Sequence, residues 1–202
     1  NSAKKDREHE TAVVLPKGAT KEFGVVYTPK DAGGKAAKDP VRVVIYEDMQ
    51  CPICQQFEAT NGSYLAQSVK SGQIELEYRF VAFLDDLGAS PNEYSRRAAN
   101  AALCTRETSG PKAFKTLHDL LYANQPEEKT LGPTDNLLVD SAVSAGAKKD
   151  AVAPCILKHR FVPWIEKSTK SMQKAKVTGT PTVRVDGKTI QGAGGAVPSY
   201  LD

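Results

Sequence analysis

The sequence predicts an α/β protein in which a block of helices interrupts a small core of strands and helices. Three observations carry this. The run Val41-Arg42-Val43-Val44-Ile45-Tyr46 gives way at Cys51 to a helix-like run from Phe57 to Val69. Residues 74–80 alternate apolar and polar, after which the periodicity turns helical over residues 90–175. Near the end, Thr182 to Val185 and Lys188 to Ile190 flank Asp186-Gly187, a strong two-residue hairpin signal.

Residues 1–22 open on mixed charge, Lys4 to Glu10, and read as a flexible arm. The first part of the core spans 23–89. Gly24 to Tyr27 is a candidate strand, and Asp31 to Pro40 an exposed loop. Val41 to Tyr46 is nearly all apolar, as in a central strand covered on both faces. Ser71-Gly72 stops the helix that follows. Ile74, Leu76, Tyr78 and Phe80 then point one way and Glu75, Glu77 and Arg79 the other, the pattern of a half-exposed strand.

The helical insertion spans 90–175. Its apolar stripes are Tyr94, Ala98, Ala101 and Ala102; Phe114, Leu117 and Leu121; Leu137, Leu138, Ala142 and Val143; and Phe161, Trp164, Ile165, Ser168 and Met172. Ser109-Gly110-Pro111, Gln125-Pro126, Gly132-Pro133 and Gly146 punctuate them. Residues 176–202 complete the core.

Composition excludes several classes. The 202 residues carry 27 basic and 24 acidic side chains, a net charge of +3. No basic stripe interleaved with aromatics suggests nucleic-acid binding, and no apolar run is long enough to span a membrane. No signal peptide is visible. A leader or anchor removed before Asn1 is the expectation.

The chemistry centres on Cys51-Pro52-Ile53-Cys54. At a strand-to-helix junction the first thiol sits at a helix N-terminus, where unpaired N–H groups and the helix dipole favour a thiolate. The second falls one turn later on the same face. One exposed, activated sulfur and one resolving sulfur suffice for thiol–disulfide exchange. The same spacing is half of a zinc site. The distant Gly179-Thr180-Pro181-Thr182, a proline opening a strand, favours the redox reading.

Together, Tyr46-Glu47-Asp48-Met49-Gln50-Cys51-Pro52-Ile53-Cys54 and Gly179-Thr180-Pro181-Thr182 resemble the thioredoxin superfamily, in its secreted DsbA-like branch. The resemblance covers about residues 23–200. It implies a thioredoxin-like fold with an inserted helical domain, a cis Pro181 facing the CxxC, and a Thr180 backbone that pairs with an extended substrate segment. It also implies a closing helix near Leu201-Asp202, short or cut off here.

Cys51 is the expected nucleophile and Cys54 the resolving thiol. Pro52-Ile53 tunes Cys51. Strong oxidants of this branch commonly have Pro-His, and Ile53 cannot donate a hydrogen bond, so a less depressed Cys51 pKa is expected. Ile53 either enlarges an apolar docking surface or packs in the helix. Many relatives carry a buried acid six residues before the first cysteine; here that position is Ile45. Glu47 could serve as proton relay, although a solvated loop acid is the first expectation, with Asp48 capping the turn or helix. His9, His118 and His159 read as surface residues. Cys155 and His159 have ligand spacing but do not complete a zinc site, and no metal is expected. Trp164 reads as packing, and Lys167, Lys170, Lys174 and Lys176 as a solvated face. Cys104 and Cys155 make an even count; a structural disulfide is expected, two buried free thiols being the alternative.

The expectation is therefore an extracytoplasmic thiol:disulfide oxidoreductase acting on cysteines of newly secreted proteins. It would be monomeric and secreted, periplasmic or held at the cell envelope. The redox group would be the Cys51–Cys54 pair itself, with no separate cofactor. The resemblance implies a membrane re-oxidant of the DsbB or VKOR-like type. A reductase or isomerase, or a non-catalytic binding module, are the alternatives.

Overall fold

The computed structural model describes residues 13–36, 38–192 and 197–200. Five strands form one sheet in the order β1-β3-β2-β4-β5: β1 (Val25–Tyr27), β2 (Val41–Asp48), β3 (Ile74–Val81), β4 (Thr182–Val185) and β5 (Lys188–Gln191). Among the described strands only β2 and β3 pair in parallel, and α1 (Pro52–Lys70) connects them. β2 is central and covered on both faces, as its composition predicts. Val43 and Ile45 enter the main core; Val44 and Tyr46 pack with Met172 and Val177 on the other side. Tyr46 of β2 lies opposite Thr182 of β4, so residues just after β2 and just before β4 meet at one end of the sheet.

α1 buries Cys54, Phe57, Asn61, Leu65 and Ser68, one stripe at helical spacing. It stops at Ser71, followed by Gly72 in the left-handed region at φ 85°. After β3 and a short α2 (Phe83–Asp86) come α3 (Tyr94–Ala123), α4 (Asp135–Ser144), α5 (Lys149–Leu157) and α6 (Val162–Lys174). α1, α3 and α6 all lie against β3.

Several expectations need correction. Glu77 does not face water: it is 2% exposed, held by Arg42 at 2.8 Å, Arg79 at 2.8 Å and Thr20 at 2.8 Å. The segment before β1 covers it, and a Cβ at Gly24 would collide with its carboxylate. That segment is itself anchored. Ala19 bridges to Val25, and the Arg106 guanidinium donates to the Lys17 carbonyl at 2.9 Å. Of the expected arm, residues 1–12 lie outside the described residues. Ser109-Gly110-Pro111 kinks α3 instead of ending it; Gly110 takes φ 88° and the chain resumes as helix at Pro111. In α4 the buried stripe is Leu138, Val139 and Ala142, while Leu137 and Val143 are exposed. The expected closing helix at Leu201-Asp202 falls outside the described residues.

Cys104 of α3 and Cys155 of α5 are joined, with Cα atoms 5.7 Å apart and a sequence separation of 51. Closing a loop of that length removes unfolded-state entropy worth about 4 kcal/mol in the chain-entropy model. Replacing both cysteines by alanine should lower unfolding stability by about 2–4 kcal/mol, measured by urea denaturation. Thiol exchange at Cys51 should persist in the folded fraction.

Candidate active site

Cys51 is the N-cap of α1. Its backbone is extended, at φ −73° and ψ 117°, and Pro52 occupies the first helical turn, where no N–H is needed. Its sulfur accepts from the Cys54 N–H at 3.4 Å and lies 3.5 Å from the Thr180 carbonyl. The Thr180–Pro181 peptide is cis, and the Cys51–Thr180 contact places the loop before β4 across the mouth of α1. This loop nearly covers the sulfur. Cys51 is 5% exposed and Cys54 0%, so the freely exposed first thiol expected from sequence is a nearly enclosed one. Pro181 is buried, Pro52 exposed, and Ile53 half-buried against the core.

The two thiols are unlinked and electronically unlike. The Cys51 pKa is lowered to about 6. The adjacent Cys54 thiol is the largest cause; burial opposes it, and Thr180 and the N–H groups of Cys54 and Ile53 add to it. Cys54 is pushed well above the ordinary thiol value, by burial first and then by the neighbouring Cys51 and Glu47. At neutral pH the pair therefore holds one thiolate and one proton, the state from which a mixed disulfide forms and resolves.

Beneath the thiols lies a cluster of ionisable groups, fully buried at Glu47 and His118 and reaching the surface at Asp119. Glu47 is no loop acid: it sits inside β2, on the face of Ile45, and is 0% exposed. Its Oε2 is 2.8 Å from Nε2 of His118, also 0% exposed. His118 Nδ1 is 3.0 Å from Asp119 Oδ1, to which the Lys115 ammonium donates at 2.5 Å. The Glu58 carboxyl on α1 completes the cluster, its Oε1 enclosed by protein. Burial raises the Glu47 pKa to about 7 and pushes Glu58 well above the carboxylate range, where the Glu47 charge pushes it further. Ligand atoms of Glu47, Glu58 and His118 lie within 4.8 Å of one another, so these three could hold a metal ion. Lys115 is the cation that the cluster already has. Asp48, its pKa raised to about 7 by burial, ties the end of β2 to Ser95, Gln50 and Leu84.

The burial of His118 had a sequence signal: with Phe114, Leu117 and Leu121 it completes an i, i+3, i+4, i+7 stripe. Glu58, four residues after Cys54, shares the buried face of α1. His159 is half-exposed and bonds Asp135 at 2.7 Å, far in sequence from the CxxC and outside the cluster. Trp164 is fully buried and packs edge-on against Phe23.

A thiolate at a helix mouth, a cis-proline loop across it and a helical insertion define a DsbA-like thioredoxin fold, and comparison with known proteins agrees. A family model described as Thioredoxin matches residues 32–195, and the chain belongs to that family, in its DsbA-like branch. Disulfide bond formation protein D of Bacillus subtilis is 26% identical over 156 residues, 75% of this chain and 66% of that protein. The chain thus spans just under two thirds of that relative. Reduced DsbA of Mycobacterium tuberculosis is 30% identical and superposes with a TM-score of 0.70, covering 84% of this chain and 85% of that one. MdbA, a thiol-disulfide oxidoreductase of Corynebacterium diphtheriae, is 25% identical with a TM-score of 0.71 over 94% of both.

The buried acid has a thermodynamic signature. A carboxyl whose pKa rises from 4.5 to about 7 on folding favours the folded state below its unfolded value. That advantage is lost as pH rises from about 4.5 to about 7. Glu47→Gln should therefore flatten the fall of stability across this window, measured by denaturant unfolding at a series of pH values.

Proposed function

We propose that this chain is an extracytoplasmic thiol:disulfide oxidoreductase that introduces disulfides into secreted proteins. In the oxidised form, a substrate thiolate attacks the Cys51 sulfur of the Cys51–Cys54 disulfide. A mixed disulfide forms, and Cys54 leaves as a thiolate that takes up a proton. A second substrate thiolate attacks the substrate sulfur of the mixed disulfide, and Cys51 leaves as a thiolate. Two electrons pass from the substrate dithiol to the pair. The dithiol is then re-oxidised by a membrane partner of the DsbB or VKOR-like type.

The observation that carries this reading is the asymmetry of the pair. Stabilising the Cys51 thiolate stabilises the reduced protein, and a stable reduced form makes the disulfide an oxidant. Cys51 at about pKa 6 lies between the roughly 7 of thioredoxin and the roughly 3.5 of the strongest DsbA oxidants. This fits Ile53 in the place of the histidine that those oxidants commonly carry. Glu47 acts as the proton relay for Cys54, whose pKa its charge already raises. A cleft of about 580 Å³ between α1 and α3, lined by Gln55, Glu58, Asp119 and Tyr122, opens the acid cluster toward solvent. Pro52 and Ile53 form the rim that reduced or unfolded substrates meet, with the backbone of Thr180 and Pro181 beside the sulfur for strand addition.

Equilibration with glutathione buffers tests the direction of electron flow. An oxidase should give a Cys51–Cys54 potential of roughly −120 to −180 mV, whereas a value near roughly −270 mV would assign the chain to reduction. Cys54→Ala should trap a mixed disulfide through Cys51, and Cys51→Ala should trap none. Trapping through Cys54 would refute the assigned roles.

A further inference from the structure

Gln125-Pro126 reads in the sequence only as a helix stop. In the fold it belongs to a clasp between the helical unit and the active-site loop. The Gln125 side-chain amide donates from one nitrogen to two carbonyls, Met49 at 3.0 Å and Cys51 at 2.9 Å. The Gln50 amide reaches the opposite way, to the carbonyls of Glu127 at 2.8 Å and Thr130 at 3.3 Å. Tyr122 donates its hydroxyl to the Asp48 carbonyl at 3.3 Å, and Gln55 donates to the Tyr122 carbonyl at 2.8 Å. The outer end of this loop is pinned as well. Lys129 N–H donates to the Ala89 carbonyl at 2.8 Å, and Asn92 makes a reciprocal pair with Gly132 at 2.8 and 3.0 Å. Pro126 narrows the backbone of Gln125 toward an extended conformation.

Of these contacts, only that of Gln125 grips the backbone of Cys51 itself. The Cys51 carbonyl already receives the Gln55 N–H at 3.1 Å, the first turn of α1. A second donor from another element locks this peptide, and with it the Cα–Cβ bond that aims the sulfur at the Cys54 N–H. The amide also presents the positive end of its dipole to the N-cap. We propose that Gln125 is a positioning residue for thiol–disulfide exchange: from the loop after α3 it holds the Cys51 peptide so that the sulfur stays within reach of the N–H groups at the mouth of α1. The helical unit then sets the reactivity of the thiol as well as covering it. This rests on Cys51 being the attacking sulfur.

The test uses the full chain and two variants at this half-buried position. Gln125→Met keeps the shape and removes both donors; Gln125→Ala removes the side chain without adding bulk. Thiolate absorbance is followed against pH, and the glutathione equilibrium is measured on the same samples, with thermal melting of the oxidised protein as a check of folding. A hydrogen bond of ordinary net strength corresponds to a roughly three- to ten-fold effect. The Cys51 ionisation constant should fall by that factor in either variant. Well below pH 6 the rate of reaction with glutathione disulfide should fall with it, by less because the more basic thiolate is the better nucleophile; the equilibrium should shift toward the disulfide form, with melting little changed. Folded variants whose Cys51 titration and glutathione equilibrium match the wild type would overturn the proposal and leave Gln125 a structural tie. If the wild-type Cys51 itself titrates as an ordinary thiol or does not exchange, the active-site reading fails instead.

Discussion

The molecule depends on one contact: a sulfur at the mouth of a helix, held against the carbonyl before a cis proline. Neither side is rigid alone. Cys51 begins α1, and Thr180 ends a loop more than a hundred residues away. The antiparallel pairing of β2 with β4, register Tyr46 to Thr182, delivers both to the same end of the sheet. Because β2 is central and packed on both faces, that register cannot slip without turning Val43 and Ile45 out of the main core. Hydrophobic burial thus fixes which two reactive segments meet at this end of the sheet.

Placing a nucleophile there carries an electrostatic consequence. The sulfur is almost dry, so nearby N–H groups and thiols act on it through a low effective dielectric. The same dryness forces Cys54 to keep its proton. It also raises the carboxyls of Glu47 and Glu58, which face each other and His118 below the pair. Buried acids oppose stability once ionised. Their retention at the end of the central strand, in place of an apolar residue, is the kind of local cost that active sites carry.

The helical unit has two structural duties. Its disulfide ties α3 to α5, and the stripes of α3, α5 and α6 share one continuous core with α1 and the sheet. Its edges reach across to the core through Ser95, Tyr122 and Gln125, all directed at the segment from Asp48 to Cys51. A loop that must hold a cis-proline neighbour, a helix N-cap and a reactive sulfur in register is thereby braced from the side that the sheet does not cover.

Sequence alone determined the element order, the central character of Val41 to Tyr46, the buried stripe Phe161 to Met172 and the pairing of a CxxC with a Thr-Pro. Each is a local signal, a period or a motif, and local signals state which residues share a face. They do not state what lies opposite that face. Tertiary structure alone decided that Glu77 is enclosed by two arginines, that Glu47 and His118 meet in the interior, and that the Thr180 loop shuts over Cys51. It also decided that Gln125 reaches back to the Cys51 carbonyl. Each depends on a meeting of segments far apart in the chain, which exists only once the chain has closed on itself.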